Sequence, residues 1–103
     1  MASTKEMTVR GEEALKIAEA LNATTMRMLQ VLGTEGLDVT TIAKKVGLSE
    51  AYISEQVRQL EELKLISVSY QRGKRGIRKV CKSDVERVTL VIVDHTVSKR
   101  GNL

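Results

Sequence analysis

A chain of 103 residues with 42% hydrophobic content can build one small core but not two. Aromatic residues make up only 2%, with no Phe or Trp, so that core has to be aliphatic, and no apolar run is long enough for a membrane span. A lone cysteine, Cys81, rules out an internal disulfide, and with no signal-peptide pattern the chain reads as soluble and cytoplasmic.

In chain order, residues 1–11 show little periodicity and are expected to fray. Glu12–Leu21 predicts a helix with Ala14, Leu15, Ile17, Ala18 and Leu21 on its apolar side, and Glu12 and Glu13 suit the positive end of its dipole. Asn22 is placed to cap a second helix, Ala23–Leu32, in which Met26, Leu29 and Leu32 follow the helical period. The four methionines read as flexible core filler. Gly33 and Gly36 mark a loop, after which Val39 is expected to add a one-residue strand against a later hairpin.

Two short helices follow. Ile42, Ala43 and Val46 give the first an apolar face, with Thr40 as the expected N-cap and Gly47 as the left-handed residue that ends it. Ser49 then caps a helix in which Ile53, Val57 and Leu60 share one buried stripe. Its other face carries Glu50, Ala51, Ser54, Glu55, Arg58 and Glu61, flanked by Tyr52 and Gln56. Helix, glycine turn and helix with an exposed polar face make a helix-turn-helix pattern, which enters a DNA major groove but also occurs in bundles that bind no DNA.

Beyond it, Leu65–Tyr70 alternates as a strand, Arg72–Gly76 punctuates, and Ile77–Lys82 returns, so a β-hairpin wing is predicted. Here the chain resembles the ArsR-type winged helix-turn-helix transcriptional regulators, in a short prokaryotic or archaeal form. The family's run from a leucine and serine through a leucine-rich helix matches Leu48 to Ile66 without a gap. Asn22 to Leu29 is similar to its Asp-Pro-Thr-Arg-Leu-Arg-Ile-Leu segment, with the proline and first arginine missing. The resemblance spans residues 12–82 and implies an α+β winged helix-turn-helix, mostly helical with a hairpin wing, working as a homodimer on double-stranded DNA. Residues 83–97 are then the dimerisation segment and 98–103 a loose tail.

The C-terminal stretch divides the two lines of reasoning. Val85–Val93 is rich in β-branched residues and reads as a strand buried on both faces, whereas the resemblance places a final helix there, capped by Asp84 with Val85, Val88 and Ile92 on one face. Propensity favours the strand. Either form leaves aliphatic surface for a dimer contact.

Charge is distributed unevenly. Residues 12–62 hold nine acidic and five basic side chains, a net −4, while residues 63–103 hold ten basic and three acidic, a net +7. Between Ser67 and Ser83 there is no acid, but Arg72, Lys74, Arg75, Arg78, Lys79 and Lys82 are there, a run suited to phosphates as well as to plain solvation. The resemblance assigns base reading to Glu50, Ala51, Tyr52, Ser54, Glu55 and Gln56, with Ser49 at the helix start. Glu55 departs from the basic residue common there. Lys44, Lys45 and Arg58 suit phosphates, and Arg72, Lys74, Arg75 and Arg78 suit the backbone or minor groove.

Other chemistry finds little support. Asp94 and His95 form one acid–imidazole pair with no nucleophile to serve, so no enzyme and no cofactor are expected. Where ArsR-type metal sensors carry a Cys-Val-Cys pair, this chain has Asp38, Val39 and Thr40, which give no thiolate pair for a soft metal. Cys81 reads as a buried structural thiol. Two further readings stay open: an architectural DNA-binding protein with little sequence preference, and a winged-helix protein-interaction module docking through Glu50, Glu55, Glu61 and Glu62.

Overall fold

The computed structural model describes residues 5–93. Its elements are β1 (Glu6–Val9), α1 (Gly11–Ala20), α2 (Ala23–Leu32), α3 (Val39–Val46), α4 (Glu50–Glu62), β2 (Ile66–Gly73), β3 (Gly76–Ser83) and β4 (Arg87–Leu90). The core is aliphatic. Ile17, Met28, Leu32, Ile42, Ile53, Val57, Leu60, Leu65 and Ile66 are buried together with Cys81. Each such side chain withdrawn from water contributes about 1.5–3 kcal/mol, before the entropy of ordering the chain is subtracted.

Capping fixes the helix limits. Asn22 Oδ1 accepts from the Thr25 backbone N–H at 3.0 Å, and Thr25 Oγ1 accepts from the Asn22 N–H at 2.9 Å, a reciprocal box that starts α2. The buried Thr25 hydroxyl donates to the Ala20 carbonyl at 2.8 Å, so it is itself satisfied and ties α2 to the end of α1. The inward face of α2 is Thr25, Met28 and Leu32; Met28 is fully buried, while Met26, expected inside, is 44% exposed. On α1 only Ile17 is fully buried, and Leu15, expected on the apolar side, is 59% exposed. A ten-residue helix at the surface buries a narrow stripe, and Leu15 falls outside it.

The helix-turn-helix forms with one correction. Asp38, and not Thr40, caps α3: its carboxylate accepts from the Thr41 N–H at 2.9 Å, and helical geometry already begins at Val39. Gly47 ends α3 at φ 76°, its N–H donating to the Ala43 carbonyl at 2.8 Å. Ser49 Oγ accepts from the Tyr52 N–H at 3.2 Å and starts α4, whose Ile53, Val57 and Leu60 are buried as their spacing predicts.

The wing is longer than its sequence signal. β2 and β3 pair antiparallel from Ile66↔Ser83 to Gly73↔Gly76, so the loop is only Lys74–Arg75. The third contact at its base comes from Leu37, which exchanges two backbone hydrogen bonds with Cys81 at 2.9 and 2.8 Å; the one-residue strand is Leu37 and not Val39. Gly36 allows this approach, since a Cβ there would lie 2.7 Å from Val80 Cγ1.

Both ends of the domain meet in a small parallel sheet. β1 pairs with β4 from Glu6↔Arg87 to Val9↔Leu90. The expected fraying of residues 1–11 is therefore corrected for Glu6–Val9, which are held by a partner strand some 80 residues away. At the C-terminal stretch the strand prevails over the helix, since β-branched Val and Thr fit the pleat better than a helical turn. It spans only Arg87–Leu90 and is not buried on both faces: Thr89 and Leu90 are exposed, as are Ile92 and Val93 beyond it. The Asp94–His95 pair and the 98–103 tail lie outside the described residues.

Candidate nucleic-acid interface

The residues singled out for DNA fall on three adjoining elements. Lys44 and Lys45 stand exposed in the last turn of α3. Glu50, Ala51, Ser54 and Glu55 lie exposed along the first turns of α4, with Gln56 half-buried at its flank. Tyr52 is 42% exposed and belongs to no part of the core, so its ring stands at the surface next to the turn. Ser49 is occupied as the cap. At the far end of the hairpin Arg72, Lys74 and Arg75 are all exposed.

Two cations expected at phosphates are already engaged. The Arg58 guanidinium donates to both carboxylate oxygens of Glu55 and, at 2.8 Å, to Glu62. The hydrogen bonds from Arg58 hold the Glu55 carboxyl below its ordinary pKa, and Glu55 first, with Glu62 adding to it, pushes Arg58 further up. The exposed side of α4 thus carries four carboxylates against one guanidinium, and that guanidinium is turned along the helix. Arg78 reaches back from the wing to Asp38 at 3.1 Å. Asp38 consequently has two tasks, capping α3 and tethering β3. Hydrogen bonds from the Thr41 side chain and backbone, then Arg78, keep its carboxyl below the ordinary value against a small opposing effect of burial.

The ladder register sorts what the sequence shows only as a basic run. Paired residues project to the same face. Tyr70 with Lys79 and Arg72 with Ile77 share one face of the hairpin, while Gln71 with Arg78 and Ser67 with Lys82 share the other. Lys74 and Arg75 occupy the tip. The face toward which Arg72 projects also exposes Tyr70 and Ile77, two residues that the charge pattern had passed over. Strict alternation along β2 and β3 was the signal that could have found them.

The metal-sensing position can be tested on its donors. Asp38, Val39 and Thr40 supply one carboxylate and no thiolate, and that carboxylate already accepts from Thr41 and Arg78. Cys81, the nearest sulfur along the wing, is buried, and that burial pushes its thiol up, which disfavours the thiolate a soft metal needs. The arrangement does not fit a metal there. Among the described residues no group of three or more His, Cys, Asp or Glu side chains comes together, and no described helix is long and apolar enough to cross a membrane.

The fold defines a winged helix-turn-helix domain, and it is shared with solved structures of that class. NolR from Sinorhizobium fredii is similar with a TM-score of 0.60 and 28% identity, over 73% of this chain and 72% of that one. A homodimeric winged helix-turn-helix DNA-binding domain from Mycobacterium bovis, described as a possible ArsR-family transcriptional regulator, is similar with a TM-score of 0.61 and 20% identity, over 73% and 67%. Reduced HlyU from Vibrio cholerae gives 0.60 and 16%, over 72% and 75%. No protein-family model and no curated protein matches the chain.

Proposed function

We propose that the protein is a transcriptional regulator of the ArsR type that binds double-stranded DNA in the cytoplasm as a homodimer, with no catalytic step and no cofactor. The observation that carries this is the wing: Arg72, Lys74 and Arg75 stand exposed at the end of a hairpin that springs directly from α4. In this reading α4 enters the major groove with Ala51, Tyr52, Ser54 and Gln56 toward base edges, and the wing tip meets phosphates or the adjacent minor groove. Lys44 and Lys45 approach the backbone from the end of α3. Glu50 and Glu55 accept from cytosine N4 where they reach a base, and otherwise repel phosphate.

Support for the class comes from the fold shared with the Mycobacterium bovis domain, and support for the dimer from that domain's homodimeric state and from the exposed Leu90, Ile92 and Val93. A dimer on a two-fold site reads a near-palindrome with half-sites about 34 Å apart. The acidic face of α4 favours a second reading, a domain that docks on a basic protein surface. Selection from randomised duplexes decides between them. Recovery of a near-palindromic consensus supports regulation, recovery of duplexes without a consensus supports an architectural role, and no recovery at low salt supports protein docking.

A further inference from the structure

A two-stranded sheet standing alone is marginal in water, and a parallel pair is normally covered on both faces. β1 and β4 form such a pair, with Val9, Met7 and Val88 packed on the core, and among the described residues β4 has no neighbour on its other side. The Arg87 and Val91 amides donate to the Lys5 and Val9 carbonyls at 3.3 and 2.9 Å, so alternate residues of β4 bond to β1. By the same alternation Val88 and Leu90 turn their N–H and C=O groups to the open edge.

The two edges of this sheet differ in kind. Around β1 the surface mixes Ile17 and Leu63 with Glu13, Lys16, Glu62 and Lys64, and such charges guard an edge against pairing. Beside β4 lies an apolar groove of about 500 Å³ between Leu21, Met26 and Leu29 on one side and Val85 and Val88 on the other. Glu86 and Arg87 also border this groove, and the Arg87 guanidinium, the one charge in β4, is paired with Glu6 at 3.0 Å.

We propose that a second copy of the chain completes this sheet by laying its own β4 antiparallel against the open edge, about a two-fold axis at Thr89. The proposal rests on the dimer reading above and supplies its contact. With Thr89 opposite its twin, Val88 faces Leu90 of the partner copy in both halves. All the open N–H and C=O groups of Val88 and Leu90 are then used, giving two hydrogen-bonded pairs around one non-hydrogen-bonded pair. Arg87 falls opposite Val91, so like charges do not meet. The product is a four-stranded sheet in the order β1–β4–β4–β1, with the partner's apolar face of Leu90 turned toward the Met26 groove. That groove also accounts for Met26 lying exposed.

Cross-linking tests the register. In a non-hydrogen-bonded antiparallel pair the Cα atoms are about 4.5 Å apart, within the range a disulfide spans. The Thr89→Cys variant, oxidised mildly as full-length protein and run unreduced in denaturant, should double in mass. Thr8→Cys, on the same sheet face but on β1, should not, because three strand spacings of about 4.8 Å separate it from its twin. Both variants retain the buried Cys81, so any contribution from that thiol appears equally in both. Sedimentation of the unmodified protein sets the frame. A dimer in which Thr89→Cys alone cross-links supports the proposal. A dimer in which it fails to cross-link, or in which Thr8→Cys does so as well, overturns this interface and leaves dimerisation standing. A monomer at tens of micromolar that forms no cross-link overturns both.

Discussion

α4 and the wing project from the same domain and, in the proposed function, meet the same duplex, yet they manage charge in opposite ways. On α4 the single cation, Arg58, is held between Glu55 and Glu62. Among the described residues only Arg78 of the wing is engaged in an ion pair, with Asp38, and its partner lies in a different element. Intrahelical pairs of this spacing are worth only tenths of a kcal/mol to the helix. Their larger consequence is electrostatic: Arg58 is cancelled where a phosphate would approach, while Arg72, Lys74 and Arg75 are not. We therefore propose that affinity belongs to the wing, and discrimination to the uncharged side chains of α4.

That division can be broken at several points. The largest effect is expected at Gln56: replacing it by Ala should remove about 1–3 kcal/mol of preference at one base position while leaving scrambled duplex nearly unaffected, as titrations on a selected site and a scrambled one would show. A uniform loss on both would place Gln56 with the phosphate contacts.

Next comes the joint between the two regions. Asp38→Ala removes the α3 cap and the tether to Arg78 together and should lower stability by about 1 kcal/mol. Asp38→Asn keeps an oxygen for the cap and should cost less. The native carboxyl sits below its ordinary value of 3.8, so its contribution is fully present above that value and fades as pH falls through the lowered native value. The stability gap between the wild type and Asp38→Ala in denaturant melts should accordingly narrow in acid, toward that of a neutral cap, and be widest at neutral pH.

Glu55→Gln should act more weakly. It takes one partner from Arg58 and one repulsive charge from the helix, and the salt dependence of DNA binding should steepen by no more than about 0.9 in log–log slope. The smallest effect is expected at Cys81. With its thiol buried and its ionisation disfavoured, it should resist a thiol reagent in the native protein, react once the chain is unfolded, and leave DNA affinity unchanged until then.

What could be read in advance follows from how local each signal is. The limits of α2 and the buried stripe of α4 were legible because Asn22, Ser49 and the spacing of Ile53, Val57 and Leu60 act within a few residues of one another. β1 was not, because Met7 and Val9 acquire their meaning only from Val88 and Leu90 at the other end of the chain. Asp38 and Thr40 are both good caps, and sequence alone could not tell which would also lie within reach of Arg78. Met26 and Met28 are equally apolar, and which of them faces inward depends on how α2 is rolled against its neighbours. In the candidate interface the wing cations stood out as a run, but their division between two faces and the tip became visible only with the hairpin register.

The division of labour is tested most directly by the salt dependence of binding to one duplex, measured for the wild type, for Arg72, Lys74 and Arg75 replaced together by Ala, and for Arg58→Ala. If each wing side chain meets one phosphate, the triple variant's log–log slope should be shallower by about 2.7, while Arg58→Ala should leave the slope where it was. An unchanged slope for the wing variant, with a loss at Arg58→Ala, would contradict the account.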